Sequence, residues 1–353
     1  MTTRERMLRI LKHQEADRAP ITDSPWNTTL ERWYREGLPR EGAWQDHLGI
    51  DRFGGINVDN SPRYPVKTIE ETDEYRVWTN AWGATLKSWK KHGGVPEFLD
   101  FVIRDVPTWR AAKARMTPAL DRVNWDWLKA EYPKWQQQGL WINAGFWFGF
   151  DVTHSWMIGT EPALIALVET PEWLVDIWNT QLDLNIALYE KIWQAGYRFD
   201  SIQWPDDMGY KGHQFFSLGM YRDLLKPVHQ RACDWAHARG VKVFLHSCGD
   251  VRPLVPDLIE IGIDVLNPVE VKAGMDPVKL KAQYGDRLGF YGGINAALYP
   301  APEKLFAEMR AVIPVMKQGG GYIVSTDHSV PDNVSLAEFQ QFVALARELS
   351  QYP

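Results

Sequence analysis

The sequence predicts an α/β fold: a (β/α)8 TIM barrel with an N-terminal helical segment and a β-hairpin insertion. The second half of the 353-residue chain alternates short apolar segments with amphipathic ones. Alternating elements with buried strands indicate parallel strands that carry their helices outside. A doubly wound open sheet is the alternative, but no Gly-x-Gly-x-x-Gly motif follows the first strand, so the barrel is favoured.

Eight strands and the helices between them are predicted along the chain. The strands are residues 19–23, 52–59, 140–146, 200–204, 241–246, 264–268, 288–293 and 321–326. The helices of the second half are residues 221–239, 253–261, 277–284, 302–317 and 336–349. Gly240, Gly262 and Gly285 follow three of these helices, as expected of residues that close a helix in the left-handed conformation. Eight such units are the number that closes a barrel.

Two segments stand outside this alternation. The N-terminal residues 1–11 form an amphipathic helix with charges throughout, unlike a secretory signal. Within residues 62–122, apolar and polar side chains alternate around an Asn80-Ala-Trp-Gly83 turn, which is typical of a β-hairpin. We therefore expect residues 1–353 to form a single barrel domain, with residues 62–122 inserted as a rim or lid over one face.

Composition excludes several kinds of partner. The net charge is −6 and no run of lysine or arginine occurs, which argues against a nucleic-acid surface. No stretch of roughly 18 apolar residues is present, so no membrane span is expected. Cys233 falls on a predicted helix and Cys248 at a strand end, so we expect two thiols in a reducing cytoplasm rather than a disulfide.

Tryptophan is over-represented, with 18 residues in the chain. Many of them precede residue 205, including Trp82, Trp147 and Trp156. Packing in the core accounts for most single tryptophans, because these side chains bury well. The remaining interpretation is a pocket walled with flat rings, which would suit an aromatic or cationic ligand.

Polar side chains recur where the predicted strands end. In chain order they are Asp23, Trp147, Asp151, His154, Asp206, Asp207, His246, Cys248, Asn267, Glu270, Asn295, Thr326, Asp327 and His328. The carboxyl ends of barrel strands meet on one face, where active sites of this fold gather. We expect Trp147, Asp151, His154, Asn267 and Asn295 to contact a substrate, together with Tyr210 beyond the Asp pair.

The segment Val243-Phe-Leu-His-Ser-Cys-Gly-Asp250 predicts a metal site. His246 and Cys248 have the period-two spacing that places both side chains on one side, and imidazole and thiolate are preferred zinc ligands. His328 at the last strand end is the expected third ligand, with Glu270 or Asp327 as a fourth or outer ligand. Three protein ligands leave the open position of a catalytic zinc. The alternative is a pair of loop-bonding histidines and an inert thiol.

Asp206 and Asp207 are the expected catalytic residues. Adjacent carboxylates repel each other when water is removed, which raises the pKa of one and suits it to proton transfer. The alternative is that one caps the following segment and the other is solvated.

The sequence resembles the uroporphyrinogen decarboxylase superfamily over nearly the whole chain. The matching segments are the run from Thr3 to Pro20, Asp206-Asp207, His246-Ser-Cys-Gly, Asp264-Val-Leu-Asn-Pro, Phe290-Tyr-Gly-Gly-Ile and Gly319-Gly-Gly-Tyr-Ile-Val. The resemblance implies a (β/α)8 barrel.

The motifs are most similar to the zinc- and cobalamin-dependent methyltransferase branch of that superfamily. True uroporphyrinogen decarboxylases need no metal and carry an Arg-Gln-Ala-Gly-Arg-Tyr type of motif, which is missing around Asp23-Ser-Pro-Trp-Asn27. In the methyltransferase branch a His-x-Cys pair and a later Cys bind zinc. This chain has His246 and Cys248, and His328 stands where the later Cys is expected, which leaves a His-Cys-His ligand set.

The resemblance implies an enzyme that moves a methyl group from a small aromatic or cationic donor to a corrinoid. Zinc would act as a Lewis acid, and Asp206 or Asp207 would orient the substrate or handle a proton. No Asp-x-His-x-x-Gly motif occurs, so a partner protein is expected to carry the corrinoid. The sequence does not decide whether the protein forms a homodimer. The alternatives are a metal-independent decarboxylase of a carboxylated, tetrapyrrole-type substrate and a non-catalytic barrel that binds a tetrapyrrole or corrinoid.

Overall fold

The computed structural model describes residues 1–91 and 93–353, and its largest sheet has seven parallel strands. The strands are β1 Phe53–Asn57, β2 Thr68–Glu71, β3 Tyr75–Thr79, β4 Ala84–Trp89, β5 Glu97–Phe101, β6 Trp141–Gly145, β7 Ser201–Pro205, β8 Gly209–Tyr210, β9 His213–Gln214, β10 Lys242–His246, β11 Val265–Asn267, β12 Gly289–Tyr291 and β13 Tyr322–Ile323. The order of strands in the seven-stranded sheet is β1-β6-β7-β10-β11-β12-β13, the order of the chain, as in a barrel wall.

Helices connect the barrel strands, and further helices precede β1 and follow β13. They are α1 Thr3–Ile10, α2 Asn27–Arg35, α3 Trp44–Leu48, α4 Val106–Lys113, α5 Trp125–Gln137, α6 Phe150–Thr153, α7 Thr160–Glu169, α8 Pro171–Gln194, α9 Leu218–Met220, α10 Lys226–His237, α11 Val255–Ile261, α12 Pro277–Tyr284, α13 Pro302–Met316 and α14 Leu336–Ser350. Single π-helical turns follow α6 and α9, at His154–Ile158 and Tyr221–Leu225. Within the described residues, no helix is both long and apolar enough to cross a membrane.

The first predicted strand, residues 19–23, closes the curled sheet through a single parallel bridge between Ile21 and Val324. Thr22 N–H donates to the Val324 carbonyl at 3.0 Å, and Val324 N–H donates to Pro20 at 2.8 Å. Pro20 has no N–H to extend the ladder, and Ile21 N–H is taken by the Asp51 carboxylate at 2.9 Å. The predicted α/β barrel class is confirmed, and its first strand is shorter than expected for this reason.

Helix α1 closes the amino-terminal end of the barrel. Thr2 and Glu5 form a capping box that starts the helix. Its apolar face forms a separate cluster with residues from the sheet, which comprises Met7, Ile10, Leu11, Trp141, Phe244, Val265 and Ile323. The predicted amphipathic N-terminal helix is therefore present, and its apolar face is buried against the strands.

The insertion is a four-stranded antiparallel sheet, β2-β3-β4-β5, larger than the predicted hairpin. The predicted turn joins β3 to β4, where the Asn80 side chain accepts the N–H groups of Trp82 and Ala84. Gly83 has φ +96°, which a glycine adopts without strain. The Phe98 ring meets the Trp156 ring edge-on at 5.6 Å, so this sheet contacts the π-helical turn that follows α6.

A buried carboxylate holds the seam between the first and second barrel strands. Asp51 pairs with Arg6 and with Arg18 at 2.6 Å each, and it also accepts the N–H of Ile21. Its own N–H donates to the Ile21 carbonyl at 2.7 Å. Removing one partner of such a buried network leaves charges uncompensated.

A second buried carboxylate, that of Asp23, links the two segments that close the barrel. Asp23 accepts the N–H groups of Ser24 at 2.9 Å and Thr326 at 3.3 Å, and the Thr326 hydroxyl lies 2.9 Å from Oδ1. Burial raises the pKa of Asp23 from 3.8 to about 6, although these hydrogen bonds oppose the shift.

Asp51→Asn is expected to lower the free energy of unfolding by about 3–5 kcal/mol, because Arg18 loses its buried counter-charge. Urea denaturation measures the change. Asp183→Asn is the matched control, since the Asp183–Arg231 pair is exposed and should contribute less than about 1 kcal/mol. Equal effects of the two substitutions would contradict the role assigned to the seam.

Asp23→Asn is expected to gain stability relative to the wild type as the pH rises. The folded carboxyl holds its proton up to about pH 6 and the unfolded one only to about 3.8, so wild-type stability falls with rising pH between these values. The difference in unfolding free energy between variant and wild type should shift by about 2 kcal/mol from pH 4.5 to 7.5. A pH-independent difference would show that Asp23 titrates normally.

Candidate metal centre and substrate cavity

Three potential metal ligands meet at the carboxyl ends of β7 and β10. Asp207 follows β7, His246 ends β10, and Cys248 lies two residues further on. The two strands are parallel neighbours in which His246 is opposite Pro205, so their ends lie side by side. One ligand atom from each of the three side chains lies within 4.8 Å of the others. The predicted pair of His246 and Cys248 is therefore brought together, and Asp207 joins it.

The His246 ring is oriented by a neighbouring amide. Its Nδ1 lies 2.5 Å from Asn267 Oδ1, and Asn267 Nδ2 donates to the Tyr291 carbonyl at 3.1 Å. Because the amide nitrogen is the donor to Tyr291, Oδ1 accepts and Nδ1 carries the proton. The lone pair of Nε2 then faces the cluster, 3.4 Å from Cys248 Sγ and 3.7 Å from Asp207 Oδ1. Such an outer hydrogen bond is typical of a metal-binding histidine.

The cluster is rich in negative charge. Burial raises the pKa of the Cys248 thiol, and the charges of Asp207, Glu270 and Asp151 raise it further. Burial also raises the pKa of Asp151 to about 8, with Asp207 as the next cause. Glu270 accepts the N–H of Gly249 at 2.6 Å, next to Cys248. A cation held between these groups would favour their ionised forms, and the carboxylate, imidazole and thiol donors suit zinc.

His328, Glu270 and Asp327 have different positions from that cluster. His328 shares a cavity wall with His246, but its nitrogens are not part of the group of ligand atoms found in the described residues. Asp327 accepts the N–H groups of Val271 and Ala296 at 2.8 Å, so it anchors two loops. The assignment of His328 and Glu270 as ligands remains a prediction.

Asp206 and Asp207 have separate environments. Asp206 is fully buried, with Oδ2 2.7 Å from His229 Nε2 and Oδ1 accepting the N–H of Asp151 at 2.8 Å. Burial raises its pKa, and the His229 interaction opposes the shift. Asp207 is partly exposed and accepts the N–H of Cys248 at 2.7 Å. Asp206 is therefore placed to hold loops, and Asp207 faces the metal cluster.

His154 is buried among aromatic rings rather than at the cluster. Its ring contacts those of Phe150 and Phe215, and Nδ1 lies 3.1 Å from the Thr160 hydroxyl. Burial lowers the pKa of His154 to about 4, so the ring is neutral at pH 7. Its Nε2 lies 3.5 Å from Asp151 Oδ1.

Two cavities meet at His246 and Gln203 inside the barrel mouth. One of ≈ 360 Å³ is lined by Gly55, Asn57, Asn143, Gly145, Trp147, Gln203, Pro205 and His246. The other, of ≈ 220 Å³, is lined by Asp23, Ser24, Gln203, His246, Asn267, Pro268, Tyr291, Ser325, Thr326, His328 and Ser329. Trp147 and Asn267 therefore line these cavities, and their role as substrate contacts remains a prediction.

Two predicted contacts lie elsewhere. Tyr210 is 47% exposed and packs on His213 and Phe215, outside both cavities. Asn295 caps a 3-10 turn, where its side chain accepts the N–H of Ala297. Neither residue lines either of the two cavities at the barrel mouth. Their role as substrate contacts stays a prediction without support from position.

Three polar residues near the site, Asn143, Gln203 and His229, were not among the predicted site residues. Asn143 and Gln203 lie in the strands, whose bodies were expected to be apolar, and both line the larger cavity. A polar residue inside a buried strand was the available signal, since buried polar groups are the informative ones. His229 lies on α10 beside Asp206, and nothing in its local sequence indicates that pairing.

Comparison with known proteins agrees with this architecture. Residues 145–349, more than half of the chain, match the family model described as uroporphyrinogen decarboxylase (URO-D). A methyltransferase from Methanosarcina mazei has a similar solved structure, with a TM-score of 0.68, 17% identity and 99% of each chain covered.

Two other solved structures are less similar. An endo-beta-1,4-xylanase from Gloeophyllum trabeum has a TM-score of 0.37 and 10% identity, covering 61% of this chain and 71% of its own. The corresponding values for Yersinia pestis DHPS are 0.27, 16%, 64% and 90%. No curated protein sequence gives a significant match. On the match over residues 145–349, the chain belongs to the uroporphyrinogen decarboxylase (URO-D) family.

Proposed function

We propose that this protein is a zinc-dependent methyltransferase that moves a methyl group from a small donor to a corrinoid carried by a partner protein. The observation that carries the proposal is the cluster of Asp207, His246 and Cys248 at the barrel mouth, beside two cavities. The fold shared with the methyltransferase from Methanosarcina mazei supports it.

Asp207, His246 and Cys248 would hold the zinc, and Asn267 would orient His246 from outside. Three protein ligands leave a position for the heteroatom that carries the methyl group. Zinc bound there supplies Lewis acidity, which makes that heteroatom a better leaving group. Glu270 is a candidate for an outer ligand, because its charge acts on Cys248 and its carboxylate accepts the N–H of Gly249.

Trp147 would form the wall against which the body of the donor packs. It lines the ≈ 360 Å³ cavity next to His246. It also lines a neighbouring cavity of ≈ 200 Å³, together with Trp82 of the insertion and Trp156. We therefore propose that residues 62–122 form a rim of the substrate site, within the single barrel domain of residues 1–353. Tryptophan faces at this rim would exclude water and favour donors with flat or apolar bodies.

Asp206 would position the site rather than transfer a proton. It is fully buried and its two oxygens are occupied by His229 and by the N–H of Asp151. Asp207 is the neighbour that can contact a metal or a substrate, since its side chain is about one-third exposed.

The purified wild type is expected to bind a single zinc ion per chain, measured by mass spectrometry of metal content. His246→Ala, Cys248→Ala and Asp207→Ala should each lose the ion, because each removes one of three ligands. His328→Ala is the matched control and should retain it, since its nitrogens lie outside the group. Loss of zinc in His328→Ala together with its retention in Asp207→Ala would restore the His-Cys-His set, and a metal-free wild type would exclude the zinc proposal.

Methyl transfer is tested with cob(I)alamin as acceptor and a panel of methyl ethers, thioethers and methylamines as donors. The methyl–heteroatom bond breaks, the heteroatom keeps the electron pair, and methylcobalamin is read by its absorbance. Asp207→Ala should abolish the reaction, and Asn267→Ala should slow it about 10- to 100-fold by releasing His246.

A decarboxylase is the competing function, and it is tested in the same preparation. Release of carbon dioxide from a carboxylated tetrapyrrole by metal-free protein, with no methyl transfer from any donor, would replace the methyltransferase proposal.

A further inference from the structure

A chain of hydrogen bonds runs through the barrel interior toward the two cavities. Trp141 Nε1 donates to the Ser201 hydroxyl at 2.8 Å, and that hydroxyl donates to Asn143 Oδ1. Asn143 Nδ2 then donates to Gln203 Oε1 at 3.0 Å. The four residues belong to the neighbouring strands β6 and β7. This series of hydrogen bonds therefore links the closed end of the barrel to its mouth.

Trp141, the first residue of this hydrogen-bonded series, sets the direction of every donor and acceptor in it. The indole nitrogen is a donor only, so the Ser201 oxygen accepts there and its own proton goes to Asn143. With Oδ1 of Asn143 occupied as an acceptor, its Nδ2 is the group that faces Gln203. Gln203 is thereby held with Oε1 turned to Asn143. Burial of Trp141 and Ser201 excludes water as a competing partner at the start of the chain.

The other polar atom of Gln203 is available to a ligand. Gln203 lines both cavities and shares them with His246. Across residues 1–91 and 93–353, its Nε2 donates to no protein acceptor, whereas Oε1 is bonded. The amide N–H₂ group thus offers donors to the cavity beside the candidate metal centre.

We propose that Gln203 determines substrate specificity by donating a hydrogen bond to the methyl donor, and so selects donors that carry an acceptor oxygen over quaternary ammonium donors. The inference rests on the site of the proposed function and names its substrate class. An N–H₂ group presents its positive end to the cavity, which attracts an ether or carbonyl oxygen and opposes a cation. A site built to hydrogen-bond a substrate leaves its own polar group unpaired with a ligand that lacks the partner.

The acidic side chains near the cluster act in the opposite direction. Asp207 and Glu270 would attract a cation to metal-free protein. A divalent ion at the cluster offsets their charge, so the contribution of the Gln203 amide is then measured without it. The specificity of zinc-loaded protein is therefore the relevant measurement.

The test compares two probes of similar shape, methoxybenzene and phenyltrimethylammonium, by quenching of tryptophan fluorescence in zinc-loaded and metal-free protein. Gln203→Leu should raise the Kd of methoxybenzene about three- to tenfold, the worth of one neutral hydrogen bond. It should leave the Kd of phenyltrimethylammonium unchanged or lower. Gln203→Glu, which accepts where glutamine donates, should weaken methoxybenzene and tighten phenyltrimethylammonium. Ser201→Ala should weaken methoxybenzene by a smaller factor, because it releases the Asn143–Gln203 pair.

Gln230→Leu on α10 is the matched control, because the same change falls outside both cavities. Thermal midpoints of all variants verify folding. Equal effects of Gln203→Leu on both probes, or no effect on methoxybenzene, would overturn the inference. Binding needs no turnover, so the expected Kd pattern without methyl transfer would reject only the proposed function. Methyl transfer from an ether unchanged by Gln203→Leu would reject only the inference.

Discussion

The candidate site depends on the buried Asp206–His229 interaction. Both side chains are fully buried, 2.7 Å apart, and the Tyr221 hydroxyl lies 3.3 Å from the other ring nitrogen. Asp206 also accepts the N–H of Asp151, and its own N–H donates to the His246 carbonyl at 2.7 Å. One residue thus ties the ends of β6, β7 and β10 to α10. Burying these groups is costly unless each finds its partner, so the loops that carry the site are restricted to one arrangement.

This restriction explains why two adjacent aspartates have unlike roles. Consecutive residues at a strand end face opposite directions, so Asp206 turns to α10 and Asp207 to the mouth. The packing on Asp206 is tight: a Cβ at Gly149 would lie 2.3 Å from Asp206 Oδ2, and Gly149 has φ +106°. A side chain at position 149 would therefore push Asp206 from His229, and through it disturb the metal cluster.

The two ends of the barrel interior differ in polarity. At the amino-terminal end, α1 seals the strands with apolar side chains, and Trp141 contributes its ring to that seal. The same Trp141 donates its indole N–H inward, where Ser201, Asn143 and Gln203 carry polarity toward the mouth. The Trp141 indole N–H, which can only donate, therefore sets from the buried end which polar atoms face the barrel mouth.

The barrel class, the order of its strands and the grouping of polar side chains at their carboxyl ends were all predictable from local sequence patterns. Alternating patterns and helix-ending glycines such as Gly262 are local signals, and they predicted α12 at residues 277–284 as observed. His246 and Cys248 could be paired because they are two residues apart. Only the tertiary structure added Asp207 to them, buried Asp206 against His229 and set Gln203 beside His246. These contacts join strands and helices that are distant along the chain. Their partners follow from the closure of the barrel and the direction of each side chain, which no local pattern records.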